Sequence, residues 1–452
     1  MKRTLTISLP IRIIVFLLTT QLCWAHDGPH GDLRHWEKAS LDPDRIILTF
    51  YEESATSRAV TWRTNNQVQS TQAEIARATD GPGFTASKRA VAATTEALDM
   101  NIAEINSQGI VHYHSVIFRD LDPETQYLYR VMGAEGRWSE WMSFLTAADR
   151  SGPFRFVYFG DAQNEVVDHW SRVIREAYAH APDAAFALYC GDLIDHAHHD
   201  QEWAEWYKAG GWIHGHWTAI PVMGNHERGP YERERHPGQG WWNSLQWRPQ
   251  FTLPEEPSLP ENVQETVYTI DYQGMRIIVL NSLQEIEAQT DYLEKQLRRP
   301  GAQWTVVATH YSLFSPRAGR DYEKQRNAWK PLLDKYGVDI VLQGHDHVYA
   351  RGYVPERSTD GGYKDDFQTL YVTSVAGPKM YKIGENKLDS YKEDGYVAGN
   401  TAENTQFFQV ITVDGGRLVY EAFTATGMLY DRVEIKKDST TGKKRMVDDQ
   451  RF

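Results

Sequence analysis

Cysteine is nearly absent: among 452 residues only Cys23 and Cys190 carry a thiol, so a disulfide-stapled scaffold is excluded. Long apolar runs are missing too. The strongest, residues 13–18, follows Lys2, Arg3, Pro10 and Arg12 and falls short of the roughly 20 residues that a membrane-spanning helix needs. There is no basic block. Lys plus Arg number 48 against 61 Asp plus Glu, and the formal charge of −13 argues against a sequence-independent grip on nucleic acid. A glycine-rich nucleotide loop is also lacking, because Gly160-Asp161-Ala162-Gln163 is too short for one.

What is present is an ordinary globular composition, 41% hydrophobic and 24% charged, in a chain long enough for two or three domains. The basic start, the short apolar run and the small Ala25 ahead of a polar stretch read as a signal peptide over residues 1–25. Export to a periplasm or the medium follows as an expectation, with no stable membrane anchor. Cleavage would remove Cys23 and leave Cys190 as a lone core thiol on a buried strand. Residues 26–44, with His26, His30 and His35, read as a solvated linker.

From residue 45 to 148 the pattern is β. Apolar or alternating segments at 46–50, 59–62, 114–118 and 126–131 lead to a closing strand at 141–146. The run Leu121-Asp122-Pro123-Glu124-Thr125-Gln126-Tyr127 resembles the tyrosine corner of a fibronectin type III sandwich, which implies that Tyr127 bonds backbone near the preceding turn. Between 153 and 430 the pattern changes to strand–loop–helix. Strands are expected at 154–159, 185–190, 219–223, 275–280, 304–309 and 339–342, with helices at 166–181, 289–298 and 325–335. Continuous apolar strands alternating with helices indicate sheets covered on their faces. Three further strands at 371–375, 407–413 and 418–423 precede a terminal hairpin or tail at 431–452.

Five of these strands end in chemistry: Gly160-Asp161, Gly191-Asp192, Gly224-Asn225-His226-Glu227, His310, and Gly344-His345-Asp346-His347. Polar groups at the carboxyl ends of α/β strands gather along one crevice. Two carboxylates confined there raise their own pKa values unless cations neutralise them. Oxygen and nitrogen donors suit Mn, Fe, Zn or Mg, and a carboxylate can bridge two ions about 3.5–4 Å apart. Each residue alone could be a strand-end cap; the ordered set of five points to a dinuclear divalent metal site.

This set resembles the calcineurin-like metallophosphoesterase superfamily, and with the preceding sandwich the chain is similar to purple acid phosphatases over about 46–423. The resemblance implies a four-layer α/β/β/α sandwich behind an all-β fibronectin type III-like domain. It further implies Asp161 and His347 as ligands of a first metal, Asp192 as the bridge, and Asn225, His310 and His345 as ligands of a second. His226 matches the residue that contacts phosphate and protonates the leaving oxygen; its alternative is a structural imidazole. Glu227 is expected to orient a neighbouring imidazole rather than bind metal.

Two departures stand out. Where purple acid phosphatases carry Asp-x-x-Tyr, this chain has Asp192-Leu193-Ile194-Asp195, and where other members have His it has Gln163. Gln163, through its carbonyl oxygen, is the expected completion of the first metal's ligands, with Asn164, Asp195 and water as alternatives. Two divalent ions and a colourless protein are expected.

Around the site, Arg317 and Arg320 are candidates to grip a phosphate, or else surface residues. His196, His198 and His199 read as a solvated loop, with metal recruitment as the alternative, and Tyr349 and Arg351 as braces of the last motif's turn. Trp203, Trp206, Trp212, Trp217, Trp241, Trp242 and Trp247 read as loop packing, with a stacking wall for a sugar or base as the alternative. The expected activity is hydrolysis of a small phosphate monoester by attack of a metal-bound hydroxide. Phosphodiester hydrolysis at the same site and a secreted binding protein with a vestigial metal domain are the alternatives.

Overall fold

The computed structural model describes residues 34–101, 107, 109–230, 241–357 and 363–451. The expected signal peptide and most of the linker, with His26 and His30, lie outside these residues. Among the described residues no helix is long and apolar enough to cross a membrane.

Two large sheets stack face to face. One has eleven strands and the other seven. In the first, Phe154–Phe159, Phe186–Tyr189 and Thr218–Pro221 run parallel as neighbours. In the second, Met275–Val279, Trp304–Ala308, Ile340–Gln343 and Tyr363–Thr373 do the same. Their apolar runs are continuous because both faces are covered, as parallel sheets require. Between the sheets, Phe186 meets the Tyr272 ring edge-on at 5.4 Å, and the Tyr268 hydroxyl donates to the Pro221 carbonyl at 2.6 Å.

Helices close the outer faces. Trp170–His180 buries Trp170, Val173, Ile174 and Ala177 at i, i+3, i+4 and i+7, the spacing that makes one apolar face. Ile286–Arg298 and Glu323–Tyr336 cover the seven-stranded sheet. A further helix, Asp200–Gly210, was not expected from the sequence. Its buried Trp203 and Trp206 belong to the main core, as do Trp217 and Trp247, whereas Trp212 and Trp242 are exposed.

The N-terminal β-sandwich sets four strands, Arg89–Ala92, Gln72–Arg77, Gln126–Val131 and Met142–Leu145, over the edge of the large sheet. Trp62, Val116, Tyr129 and Phe144 are among its buried core residues. The tyrosine corner forms: the Asp122 amide donates to the Tyr127 hydroxyl at 2.9 Å, and that hydroxyl donates to the Asp122 carboxylate. The sandwich is not a separate bead. Its first strand, Asp44–Thr49, pairs parallel with Thr218–Pro221 through Leu48 and Thr218, so sandwich and α/β strands form one continuous sheet.

At the other edge, Leu429–Lys437 and Lys444–Arg451 extend that sheet as a hairpin. Tyr349 and Arg351 do not brace the turn that precedes them. Both reach Asp431 of this hairpin, Tyr349 at 2.6 Å and Arg351 at 2.6 and 3.0 Å, in a fully buried pair. Burial leaves that carboxylate no solvent, so it takes partners from the opposite sheet.

Candidate metal centre

The tight loops after the five strands carry the site. Asp192, His345 and His347 have φ of +51°, +74° and +49°, a left-handed conformation that costs non-glycine residues energy and tends to persist at functional sites. Gly191, at φ +84°, lets the Gly224 backbone and the His310 ring come close; a Cβ there would stand 2.6 Å from His310 Nδ1. A Cβ on Gly344 would collide with the Asp161 carboxylate.

His310 shows how the donors are aimed. Its Nδ1–H donates to the Cys190 carbonyl at 2.8 Å, so the Nε2 lone pair faces inward. Around that nitrogen stand Asn225 Oδ1 at 3.1 Å, His345 Nδ1 at 3.1 Å and Asp192 Oδ2 at 3.2 Å. His347 repeats the device: Nδ1–H donates to the Lys379 carbonyl at 2.9 Å, and Nε2 lies 3.1 Å from Asp161 Oδ2. That carboxylate oxygen is buried and has no hydrogen-bond partner. Lone pairs facing one another at such distances suit a cation between them. Two groups follow, Asp192 with His310 and His345, and Asp161 with Asp192 and His347, sharing Asp192.

The electrostatics agree. Burial, with Asp192 nearby, pushes the Asp161 carboxyl well above the usual carboxylate range, although His310 opposes this. Burial would also raise Asp192, but the His310 and His226 imidazoles outweigh it and hold Asp192 low. Burial opposes protonation of His310, yet Asp192 and Asp161 push it up to about 9, so positive charge is favoured there. His345 and His347 are kept neutral, chiefly by burial, the latter pushed down to about 3. Neutral imidazoles and ionised carboxylates are the forms that bind metal, so a cation would displace the protons favoured on His310 and Asp161.

Glu227 departs from expectation. It touches no imidazole; its carboxylate accepts the amides of Asp192 at 2.8 Å, Leu193 at 2.7 Å and Gly224 at 2.8 Å. Fully buried amides of a tight loop need an acceptor, and Glu227 supplies it, joining the second motif to the third. Burial and Asp192 push its own pKa up to about 7.

With this geometry in view, two family models match parts of the chain. Residues 43–146 match the model of the purple acid phosphatase N-terminal domain, and residues 154–349 match that of the calcineurin-like phosphoesterases. The chain is thus purple acid phosphatase-like, with a calcineurin-like phosphoesterase domain over residues 154–349. It is 25% identical to an uncharacterized protein of Mycobacterium tuberculosis over 346 residues, 68% of this chain and 62% of that one. Purple acid phosphatase 21 of Arabidopsis thaliana is 27% identical over 304 residues, 63% of this chain and 64% of the relative. The chain therefore spans less than two thirds of these relatives' length. In structure it resembles a purple acid phosphatase from yellow lupin seeds, with TM-score 0.69 and 19% identity, covering 88% of this chain and 75% of that one. The structure of PhoD aligns with TM-score 0.63 and 13% identity, covering 91% and 93%.

Beside the two groups of donors stand Gln163, Asp195, His226 and Lys379. Gln163 sits at the first site, its amide nitrogen 2.8 Å from Asp192 Oδ2 and 3.1 Å from His347 Nε2. Its Oε1 accepts from the Lys379 ammonium at 3.4 Å. Asp195, which stands where tyrosine was expected, faces His226 instead of the first site. Its carbonyl accepts His226 Nδ1–H at 2.6 Å, and its Oδ1 lies 3.3 Å from the same nitrogen.

Arg320 donates to the His345 carbonyl at 2.9 Å and to Asp346 at 3.1 Å, so it braces the last motif. Arg317 lies over the Tyr381 ring at 3.5 Å. Lys379 was missed by sequence reasoning. The available signal was its place after Gly377-Pro378, just beyond a parallel strand's end.

Proposed function

We propose that the protein is a phosphomonoesterase that works with two divalent cations, held by Asp161, His347 and Gln163 on one side and by Asn225, His310 and His345 on the other, with Asp192 between. The convergence of Asn225, His345 and Asp192 on His310 Nε2 within 3.1–3.2 Å is the observation that carries this reading. When bound, such a pair of ions supplies a nucleophile at neutral pH by acidifying water, and offsets the charge of the phosphoryl oxygens. Gln163 joins the set through the other rotation of its amide, which turns Oε1 inward in exchange for its contact with Lys379. Mn, Fe, Zn and Mg all suit these donors. The name of one relative, Fe(3+)-Zn(2+) purple acid phosphatase 12 of Arabidopsis thaliana, records iron(III) with zinc. Here no tyrosine stands at the corresponding position, so two divalent ions and a colourless protein are the consistent reading.

The chain's own groups complete the reaction. Asp195 fixes the His226 tautomer and ring, leaving Nε2 free to give a proton to the departing oxygen. The phosphorus–oxygen bond to the alcohol breaks as the bond to water's oxygen forms. Nε2 then recovers a proton from solvent. Lys379 and Arg317 put positive charge on the rim, and a monoester carries up to two negative charges where a diester carries one.

Comparing turnover of an aryl phosphate with that of a bis-aryl phosphate, with Mn added to both, tests the reading. Faster monoester hydrolysis supports it, and a diester preference replaces it with the phosphodiesterase alternative. Export through the N-terminal segment belongs to the same proposal and is checked by sequencing the start of the secreted protein.

A further inference from the structure

Between the second motif and the helix Asp200–Gly210 lies a loop that the proposed reaction does not use. Glu202, one turn into that helix, organises it. Its Oε2 accepts the amides of Asp195 at 2.8 Å and His196 at 2.7 Å, which fixes the carboxylate. The other oxygen, Oε1, faces two imidazole nitrogens, His196 Nδ1 at 2.6 Å and His199 Nδ1 at 3.3 Å. The two rings stack with centroids 4.5 Å apart and planes 22° apart. His198 points away: its Nδ1 accepts the Leu245 amide at 3.3 Å, and it is buried.

The arrangement has the geometry of a three-ligand cation site. Zinc binds nitrogen and oxygen at about 2.0–2.1 Å in a tetrahedron, so its ligand atoms stand about 3.3–3.5 Å apart. His199 Nδ1 and Glu202 Oε1 already do, at 3.3 Å. His196 Nδ1 has to retreat by less than about 1 Å, the change expected when an ion replaces a shared proton. Side-chain exposures of 44% for His196 and 31% for His199 leave room for water as a further ligand. Glu202 is held ionised: burial opposes this, but hydrogen bonds from His196 and His199 push it down to about 2.

We infer that His196, His199 and Glu202 form a peripheral site for a zinc-type divalent transition ion, separate from the centre built on Asp192. Imidazole with carboxylate selects Zn, Co, Ni or Cu over Mg and Ca. Because Glu202 also holds the Asp195 amide, occupancy stiffens the loop that presents Asp195 to His226.

The test uses the full chain, stripped with a chelator and titrated with Zn²⁺, with bound metal counted by elemental analysis after gel filtration. Wild type is expected to retain three ions per chain. His199→Ala and His196→Ala are expected to retain two, with unchanged melting temperature showing an intact fold. His310→Ala is expected to keep the peripheral ion while losing metal at the main centre. Wild type and both loop variants retaining two alike would overturn the peripheral site and leave the dinuclear reading standing. One ion in wild type, lost in His199→Ala, would uphold the peripheral site and defeat the dinuclear reading instead.

Discussion

Asp195 holds His226 by its carbonyl, which accepts from Nδ1 at 2.6 Å, while its carboxylate lies 3.3 Å from the same nitrogen without a hydrogen bond. The imidazole is thereby committed to presenting Nε2, which lies 3.9 Å from Asp192 Oδ2, on the site's side. Proton transfer of this kind is worth about 10²–10⁴-fold, and weakening its orienting partner forfeits part of that. Asp195→Asn, which keeps that carbonyl and removes only the carboxylate's charge, should lower kcat by roughly a few-fold on an alkyl phosphate and less on a nitrophenyl phosphate, whose leaving group needs no proton. Bound metal should not change. An equal loss on both substrates would show that Asp195 does not act through His226.

Substitutions at the centre should separate metal loss from misfolding. Partners one step removed from metal ligands are typically worth 10–100-fold, so Asp192→Asn and His310→Ala should cost more than about 100-fold in turnover. Elemental analysis should show less bound metal, with circular dichroism unchanged. Full activity in either variant would remove the assigned site.

Lys379 offers its ammonium 3.8 Å from Asp195 and 3.4 Å from Gln163, on the pocket's open side. Hydrogen bonds to charged groups contribute about 1.5–3 kcal/mol, which corresponds to about 10–100-fold. Lys379→Met should reduce kcat/KM for a monoester by about 10-fold and for a diester by less. Equal losses would show that the Lys379 ammonium does not read the second charge of a monoester.

Arg45 and Asp200 join the sandwich to the helix that carries Glu202, at 2.7 and 2.9 Å, with Arg63 adding a third contact at 3.2 Å. All three side chains are buried. Breaking such a pair from one side typically costs about 3–5 kcal/mol, and Arg45→Met should lower stability to urea accordingly. Burial would raise the Asp200 pKa, but Arg45 and Arg63 outweigh it and hold it below the usual value. The Asp200 contribution is therefore present above the unfolded carboxylate's pKa and is lost as pH falls through the lower folded value. Wild type should lose more stability than Asp200→Asn over that acid range; parallel curves would show that the pair does not titrate with unfolding.

Much of the site was legible in the residues. Asp161, Asp192, Asn225, His310, His345 and His347 each follow an apolar run at a strand's end, and parallel strands bring such ends together whatever the intervening loops do. The tyrosine corner was equally local, since Tyr127 and Asp122 are five residues apart. The helix Asp200–Gly210 was not, because histidines crowd the segment before it and the largest side chains of its buried face are Trp203, Trp206 and Tyr207, which also suit loop packing.

The sequence by itself determined which strands are buried, where each motif falls and which donor atoms are available, because periodicity and side-chain chemistry are local properties. Only the tertiary structure decided that Asp195 faces His226 rather than the first ion's site, that Glu227 serves backbone amides, and that Lys379 reaches Gln163. It also decided that the sandwich and the α/β strands share one sheet. Each of these is a contact between residues far apart in the chain or a choice of side-chain direction in a loop. Packing against the rest of the molecule settles such contacts, and residue order alone does not encode them visibly.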